Sequence, residues 1–433
     1  MFRRVLSIVL ALVLICTAGC VPVSQGSSAA GSKPEQSNAG TQADKGNTVT
    51  LSGLLAKAEY PTETDEFLEV DKDFQEALER FCSKTARDLL LTDKNTIYSP
   101  ISLFYALAIL TEGADHETAD ELLALLEMQK IKDLPQACKT LFRMLYQDNM
   151  DSKLRIANSL WMKEGFPFER SYLDDIKDNF FGSVYSVDFA DAATGKLIGA
   201  WVDENTGGLV PYDYNPDPAQ VLSIINTIWL KAHWADAFSE RATSEAAFTL
   251  KDGRSVMTDF MHRRHSGSIS IGKDFRRADL YLGGMGYMSF ILPDEGVDVL
   301  SLLDQEKWDE ALHGGEQYSG KIVWSVPKIK HDSKLDLEDY VREFAPLAFS
   351  GAADFSRMTP EGVCVSSVVQ KAHVEWDENG VEAAAYTEIG MKATAMPNTQ
   401  PETEYEMNLN RPFLYTIRSF DGTMLFCGIC QEP

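Results

Sequence analysis

The sequence predicts an α+β fold in which a cluster of helices is followed by mainly antiparallel β-sheets. Apolar residues recur at helical spacing in the first part of the globular region, whereas short runs rich in Val and Ile dominate the second part. The two kinds of element are segregated along the chain, which is typical of α+β proteins and not of doubly wound sheets. With 433 residues, 44% of them hydrophobic, the chain can bury a large core.

Residues 1–20 are predicted to be a lipoprotein-type signal peptide. Two arginines precede an apolar run from Val5 to Ile15 that is too short to span a bilayer as a helix. Residues 17–20 (TAGC) resemble the lipobox of bacterial lipoproteins, although that motif usually has leucine where Thr17 stands. Cleavage before Cys20 would leave this residue to carry lipid, so we expect an extracytoplasmic protein that is lipid-anchored to the cell membrane, or secreted if the lipobox is not used.

Residues 21–50 are predicted to be a flexible tether. This stretch is rich in Ser, Gly, Gln and Asn and almost lacks large apolar side chains, so it cannot repay the entropy of ordering. The globular part is therefore expected within residues 51–433, as a single domain.

Helices are predicted first along this domain. One apolar stripe at spacings of three and four, or their multiples, comprises Phe74, Ala77, Leu78, Phe81 and Leu89. Ser99 before Pro100 is the preferred order for starting a second helix, and residues 118–121 (TADE) form a capping box for a third. Further helices are expected over 168–180 and 194–204.

Strands are predicted mostly after residue 220. They correspond to residues 221–230, 244–250, 287–293, 322–329, 363–376, 412–417 and 423–429. The last run contains Cys427 and Cys430 at the spacing of a zinc knuckle, but its apolar neighbours favour a strand, on which residues three apart face opposite sides. We therefore predict no metal site.

Composition and motifs exclude several function classes. The net charge is −25, which disfavours nucleic acid as a partner. The sequence has no G-x-S-x-G elbow, no H-E-x-x-H helix and no phosphate-cradling glycine loop. An extracellular hydrolase would need such a set, so we predict that the protein is not an enzyme and uses no cofactor.

Several blocks, in order, resemble the serpin family from about Asp71 to Pro433. They are NTIYSPISLFYALAILTEGADHETADELL, LSIINTIWLKAHWADAF, IVWSVPKI, GAADFSRM and RPFLYTIRSFDGTMLFCGICQEP. Each block alone is weak evidence for the resemblance, whereas the whole set in this order is specific for the family. The resemblance implies a serpin-like fold with a large, mainly antiparallel sheet, smaller sheets and an exposed reactive-centre loop over about 379–410.

The resemblance also implies two groups of residues that control the main sheet. Ser99, Ser102 and Asn226 match the shutter beneath the sheet, and Trp234 matches the tryptophan at its top, the breach. Gln370 stands where many serpins carry a shutter histidine, and its amide can still donate and accept hydrogen bonds.

The segment most specific to function resembles the hinge of inhibitory serpins. Its residues are Glu378, Gly380, Val381, Glu382, Ala383, Ala384 and Ala385. From Val381 onward, uncharged and charged or bulky residues alternate, so as a strand the loop is expected to have one buried and one wet face. Alanine and glycine are poor strand formers, so the loop should not pair until the sheet offers a slot.

By resemblance, the protein is a suicide-substrate inhibitor of serine proteases, and cysteine proteases are a further target class. The protease cuts the loop, and insertion of the freed segment into the main sheet traps the acyl-enzyme. Counting from the hinge places the reactive bond at Thr394 and Ala395, with a register uncertainty from Lys392 to Met396. These small residues favour an elastase-like or subtilisin-like target, with a trypsin-like protease second, and a monomer is expected.

Two alternatives to inhibition remain open at the level of sequence. A non-inhibitory serpin-fold lipoprotein could serve as a binding protein or scaffold, and a charged or bulky hinge would have supported that reading. A solute-binding lipoprotein would share the anchor and tether, but it predicts alternating βαβ units around a cleft.

Overall fold

The computed structural model describes residues 7–18, 53–61, 68–130, 133–149, 152–210, 212–380 and 403–433. The helices in these ranges are α1 (Lys72–Leu89), α2 (Pro100–Glu112), α3 (His116–Leu125), α4 (Leu134–Leu145), α5 (Arg170–Asn179), α6 (Ala192–Asn205), α7 (Gln305–His313) and α8 (Glu338–Phe344). Of the helices in these described ranges, none has the length and apolar character needed to cross a membrane.

The strands form two large sheets. They are β1 (Ser7–Ala18), β2 (Leu54–Ala56), β3 (Thr96–Tyr98), β4 (Gln147–Asp148), β5 (Lys153–Lys163), β6 (Gly182–Val187), β7 (Gln220–Lys231), β8 (Ser244–Thr249), β9 (Ser255–Ile271), β10 (Phe275–Leu282), β11 (Gly286–Pro293), β12 (Glu316–Pro327), β13 (Ile329–Asp336), β14 (Val363–Trp376), β15 (Glu404–Asn408), β16 (Phe413–Ser419) and β17 (Met424–Cys430).

The main sheet has the order β13-β14-β1-β7-β5-β6-β2, and β4 pairs with β5. The second sheet has the order β15-β12-β9-β10-β11-β16-β17-β3, and β8 pairs with β9. The pairs β5–β6 and β12–β15 are parallel, while the other pairs are antiparallel. The predicted α+β fold with mainly antiparallel sheets is therefore confirmed.

The expectation that helices come first and strands later is wrong in part. Strands β5 and β6 of the main sheet lie among the early helices, and α7 and α8 lie among the later strands. The sequence pattern did not reveal β5 because buried polar residues, Asn158 and Ser159, interrupt its apolar run. A polar residue at a core position breaks the signal on which strand prediction depends.

The first helices begin at side-chain caps. Asp71 accepts from the backbone of Asp73 at 2.9 Å at the start of α1, and the Ser99 hydroxyl accepts from Ser102 N at 3.4 Å at the start of α2. The predicted capping box at residues 118–121 is wrong, because α3 already begins at His116, capped by Asp115. Thr118 lies inside the helix.

Helix α2 is the buried centre of the helical cluster. All thirteen residues from Pro100 to Glu112 are buried, as expected of a helix that is apolar on every side. Its side chains belong to the same hydrophobic core as those of β7, β14 and β17. The start of α2 is thus fixed beneath the main sheet.

Strand β1 lies in the centre of the main sheet. It comes from the predicted signal peptide and pairs antiparallel with β14 on one edge and with β7 on the other. The signal peptide and the tether stay predictions, and residues 19–50 lie outside the described ranges.

Candidate functional site

The candidate site is the slot in the main sheet between β7 and β14, which β1 fills. Leu12 of β1 lies opposite Asn226 of β7 and also opposite Gln370 of β14. Two residues that the sequence assigned to the shutter therefore lie at the same level on the two sides of the slot. Because β7 and β14 are both antiparallel to β1, they run parallel to each other.

Ser99 and Gln370 form the centre of the shutter. Ser99 N donates to Gln370 Oε1 at 3.0 Å, and Gln370 Nε2 donates to the Ser99 carbonyl at 3.1 Å. The Ser99 hydroxyl also donates to the carbonyl of Leu425 at 2.7 Å. Glutamine thus both donates and accepts here, and this small network joins α2, β14 and β17.

The shutter residue Asn226 bonds to Asn158 of the neighbouring strand β5. Its Nδ2 donates to Asn158 Oδ1 at 2.8 Å, and Asn158 Nδ2 donates to the Phe180 carbonyl at 2.7 Å. In the described residues, Asn226 Oδ1 and the Ser102 hydroxyl are buried without a hydrogen-bond partner. Sequence reasoning missed Asn158, although an asparagine inside the run RIANSLWM was an available signal.

At the breach, Trp234 holds the chain that leaves β14. The indole is buried, and its Nε1 donates to the Asp377 carbonyl at 2.8 Å. Phe238 N donates to the Glu378 carbonyl at 2.9 Å. The predicted breach tryptophan is therefore bound to the backbone immediately before the segment predicted as the hinge, and Phe238 is bound to the first residue of that segment.

The Glu378 carboxylate forms an ion pair at the hinge. Its side chain is 6% exposed, lies 2.9 Å from Lys328 Nζ and accepts a hydrogen bond from the Thr243 hydroxyl at 2.5 Å. Burial alone would raise the pKa of Glu378, but the hydrogen bonds from Lys328 and Thr243 lower it below its usual range. Glu378 is therefore ionised and binds the start of the hinge to Lys328 and Thr243. The sequence analysis did not identify these two partners.

Position 380 requires a glycine because of its backbone conformation and its close approach to Trp234. Its φ is +76°, and a Cβ placed on it would lie 2.4 Å from the backbone nitrogen of Trp234. A side chain here would have both a strained backbone and a steric clash. The hinge glycine therefore lets the chain pass close to the breach tryptophan.

The remaining predicted site residues lie outside the described ranges. They are Val381, Glu382, Ala383, Ala384, Ala385, Thr394, Ala395 and Cys20. The described chain stops at Gly380, next to the top of the slot, and resumes at Thr403 before edge strand β15 of the second sheet. In the described residues, no group of three or more His, Cys, Asp or Glu side chains could hold a metal ion.

The slot is covered on both faces along its middle. Leu12 and Leu14 pack into the large core, whereas Ala11 and Val13 pack in a second cluster with Trp201 of α6. All four are at most 2% exposed. The expected wet face of an inserted strand is thus absent at residues 11–14, because α6 lies over that side of the sheet.

Asp377 gives the hinge a titratable group near neutral pH. Burial, with a further contribution from Glu378, raises its pKa to about 6. Since this value exceeds that of an unfolded aspartate, the native state binds the extra proton, and its stability falls as pH rises from about 4 to 6.

We expect Asp377→Asn to be more stable than the parent at pH 7 and similar at pH 4. The gain should be about 1–2 kcal/mol after allowance for partial exposure, and the amide can still accept the hydrogen bond from Asn379 N. Thermal unfolding at several pH values measures it. Asp178→Asn, at a site 63% exposed, is the control and should leave the profile unchanged. An equal gain in stability at pH 7 for the two variants would contradict the raised pKa of Asp377.

The sequence of this chain is similar to a family model and to proteins of one family. The family described as Serpin (serine protease inhibitor) matches residues 76–433. Human Serpin B4 is 28% identical over 373 residues, covering 79% of this chain and 94% of its own, and antitrypsin of Bombyx mori is 27% identical over 352 residues, covering 78% and 88%.

Solved structures share the fold. The thermophilic serpin tengpin in its native state has a TM-score of 0.72 at 24% identity, covering 87% of this chain and 97% of its own. Arabidopsis AtSerpin1 in its native stressed conformation has a TM-score of 0.72 at 23% identity, covering 84% and 100%. Human thyroxine-binding globulin in complex with thyroxine has a TM-score of 0.71 at 23% identity, covering 83% and 98%.

Proposed function

Because the chain belongs to the serpin family of protease inhibitors, we propose that it is a suicide-substrate inhibitor of serine proteases that traps the acyl-enzyme by loop insertion. The observation that carries this proposal is the slot between β7 and β14, which accepts a strand over twelve residues. The hinge follows β14 directly, so a cleaved loop that turns back at Gly380 reaches the slot without crossing another strand.

The chemistry of the trapped complex belongs to the protease. The catalytic serine attacks the loop and forms an ester with the residue on the amino side of the cut, while the amine of the next residue leaves. Insertion then carries the bound protease along the sheet before water can hydrolyse the ester. Cysteine proteases form the corresponding thioester and are a further target class.

We assign the reactive bond to Thr394 and Ala395. These small residues suit the narrow pocket of an elastase-like protease or a tolerant subtilisin-like pocket, and Lys392 makes a trypsin-like protease the second choice. The inhibitor is proposed to act as a monomer.

One experiment tests both the mechanism and the bond. The protein is incubated briefly with an elastase-like, a subtilisin-like and a trypsin-like protease, and products are resolved by denaturing electrophoresis and mass spectrometry. We expect a detergent-stable complex and a carboxyl-terminal fragment that begins at Ala395 or within two residues of it. Absence of any complex, with full cleavage, would contradict inhibition, and a first cut beyond Pro397 would contradict the assigned bond.

We also propose that the protein is exported and anchored through Cys20. The arginines, the apolar run and the TAGC end of residues 1–20 support this. Cys20→Ala should release the domain into the medium or leave the signal uncleaved. Membrane association that persists after signal removal would contradict lipidation.

A binding role without inhibition is the second candidate. A cavity of about 410 Å³ lies between α1, α7 and strands β10, β11 and β16, and the charged residues Arg418, Asp279 and Glu79 line it. Thyroxine-binding globulin, which shares the fold, is described in complex with thyroxine. Loss of complex formation with every protease, together with small-molecule binding at this cavity, would favour this role.

A further inference from the structure

We propose that Ser244 is an acyl-acceptor site, a nucleophilic serine that takes an acyl group from activated carboxylic esters. In this site His262 is the general base and Ser325 holds the imidazole in place. The inference goes beyond protease inhibition and does not depend on it. It rests on three side chains that the second sheet brings together, and none of the three belongs to the slot or to the hinge ion pair.

The second sheet places the three side chains in a row. His262 lies on β9, directly opposite Ser325 of β12. On the other edge of β9, Ser244 is the first residue of β8 and lies opposite Phe260, two residues before His262. Residues two apart on a strand share a face. Ser244 is therefore diagonal to His262, at a separation that a long side chain can span.

The hydrogen bonds have the order nucleophile, base and orienting group. The Ser244 hydroxyl lies 3.0 Å from His262 Nε2, and His262 Nδ1 lies 3.0 Å from the Ser325 hydroxyl. In the tautomer that carries its proton on Nδ1, the imidazole donates to Ser325 and accepts from Ser244. This is the geometry of an activated nucleophile, in which a base contacts the hydroxyl and a third group orients the base.

The nucleophile is accessible, whereas its base is held in a paired strand. Ser244 is exposed, while His262 and Ser325 are half-buried, and β9 is paired on both edges at this level. The preceding residue, Thr243, has an extended backbone and donates its hydroxyl to Glu378. Adjacent residues of an extended chain point to opposite sides. Ser244 therefore faces away from the hinge.

The proposed step transfers one acyl group to the protein. Ser244 Oγ forms a bond to the ester carbonyl carbon while His262 Nε2 takes the hydroxyl proton. The bond from that carbon to the leaving oxygen then breaks, and the imidazolium returns the proton to the departing alcohol. Because Ser244 is exposed, water and not a closed cleft solvates the oxyanion, so esters with a good leaving group are the expected class. The product is an acylated protein, and no turnover is required.

Ser268, which also lies on β9, provides a matched comparison within the same chain. It is exposed like Ser244, but its hydroxyl lies 3.5 Å from the hydroxyl of Ser319, so its partner is not an imidazole. Trypsin separates the two serines, because Ser244 lies in residues 242–251 and Ser268 in residues 265–273. The reactivity of both can therefore be measured in one sample.

The test exposes the folded full-length protein briefly to an organophosphonate fluoride. This probe reacts with a nucleophilic serine as an activated ester does, with fluoride as the leaving group, and its adduct resists hydrolysis. Peptide mass spectrometry follows the labelling of the two serines over time. We expect Ser244 to be labelled at least about a hundredfold faster than Ser268. Equal rates would overturn the proposal, and this comparison does not depend on the folding of any variant.

Substitutions of the two partners test their roles. His262→Gln should lower the labelling rate of Ser244 by at least about a hundredfold, because the base is lost, and should leave Ser268 unchanged. Ser325→Ala should lower the rate about tenfold, which corresponds to one hydrogen bond. Ser325→Thr should restore the rate, because its hydroxyl can still accept from the imidazole. A Ser244 rate that is unchanged in His262→Gln, or equally low in Ser325→Thr and Ser325→Ala, would contradict the proposed array.

Discussion

The Ala385→Asp variant is expected to be cut by its target protease without trapping it. The alternation that starts at Val381 assigns Ala385 to the buried face of the inserted loop, and the strand in the slot is at most 2% exposed from Ala11 to Leu14. An unpaired carboxylate there costs about 3 kcal/mol or more unless it takes up a proton. Since this corresponds to about a hundredfold in rate, the ratio of complex to cleaved product should fall by about that factor.

Two controls separate slowed insertion from a general effect on the loop. Ala385→Ser keeps a small uncharged side chain, and Asn398→Asp adds the same charge on the far side of the cut, where the chain does not insert. Both should retain most of the complex. The same alternation assigns Tyr386 to the face expected to be wet, but Tyr386→Asp is unsuitable as a solvated control because α6 covers the second face of the slot. A similar loss in all variants, measured by denaturing electrophoresis, would contradict the insertion mechanism.

The Glu378→Lys variant is expected to destabilise the breach before any protease acts. It removes a carboxylate that is 6% exposed and places a second ammonium group beside Lys328. Breaking such a pair should cost about 2–3 kcal/mol, because Lys328 keeps partial access to solvent. Thermal unfolding of the intact protein should show a Tm lower by about 5 °C.

A charge swap provides the control for this prediction. The double variant Glu378→Lys, Lys328→Glu restores one pair of opposite charges and should recover most of the lost Tm. Glu378→Gln should show an intermediate loss, since the amide can still accept from Thr243. If the swap is no more stable than Glu378→Lys alone, the ion pair does not stabilise the breach.

The sequence predicts those elements whose signals are local. Strand β14 was expected at residues 363–376 and has the bounds Val363–Trp376, because its apolar run is flanked by turns. Helix α2 begins at the expected cap, Ser99, followed by Pro100. Local rules suffice where neighbouring residues in the chain determine the conformation.

Local sequence patterns do not predict the structure where contacts between residues far apart in the chain determine the conformation. Residues 118–121 have the pattern of a capping box, but the Thr118 hydroxyl accepts from Asp354 N and the Glu121 carboxylate accepts from Leu347 N. The partners of Glu378 and Asn226 lie far away in sequence, at Lys328, Thr243 and Asn158. The periodicity of the sequence does not identify such pairs, because their members become neighbours only when the sheets assemble.

The amino-terminal run illustrates a different ambiguity. A continuous apolar stretch such as Val5–Ile15 satisfies the pattern of a signal peptide, and it equally satisfies that of a strand buried on both faces. Sequence reasoning assigned it to export alone. The structure adds the second possibility, because the main sheet provides two parallel edges at the correct spacing to receive it.

The parallel orientation of β7 and β14 determines how the sheet gains from an added strand. If the slot were closed, these two strands could form only a single parallel ladder, whose pairing is slightly less stable per residue than antiparallel pairing. A strand running opposite to both replaces that one ladder by two antiparallel ladders and adds its own backbone groups to the sheet. The topology therefore makes widening the sheet favourable for any strand that enters in this direction, and the free energy released can perform mechanical work on whatever is attached to the end of that strand.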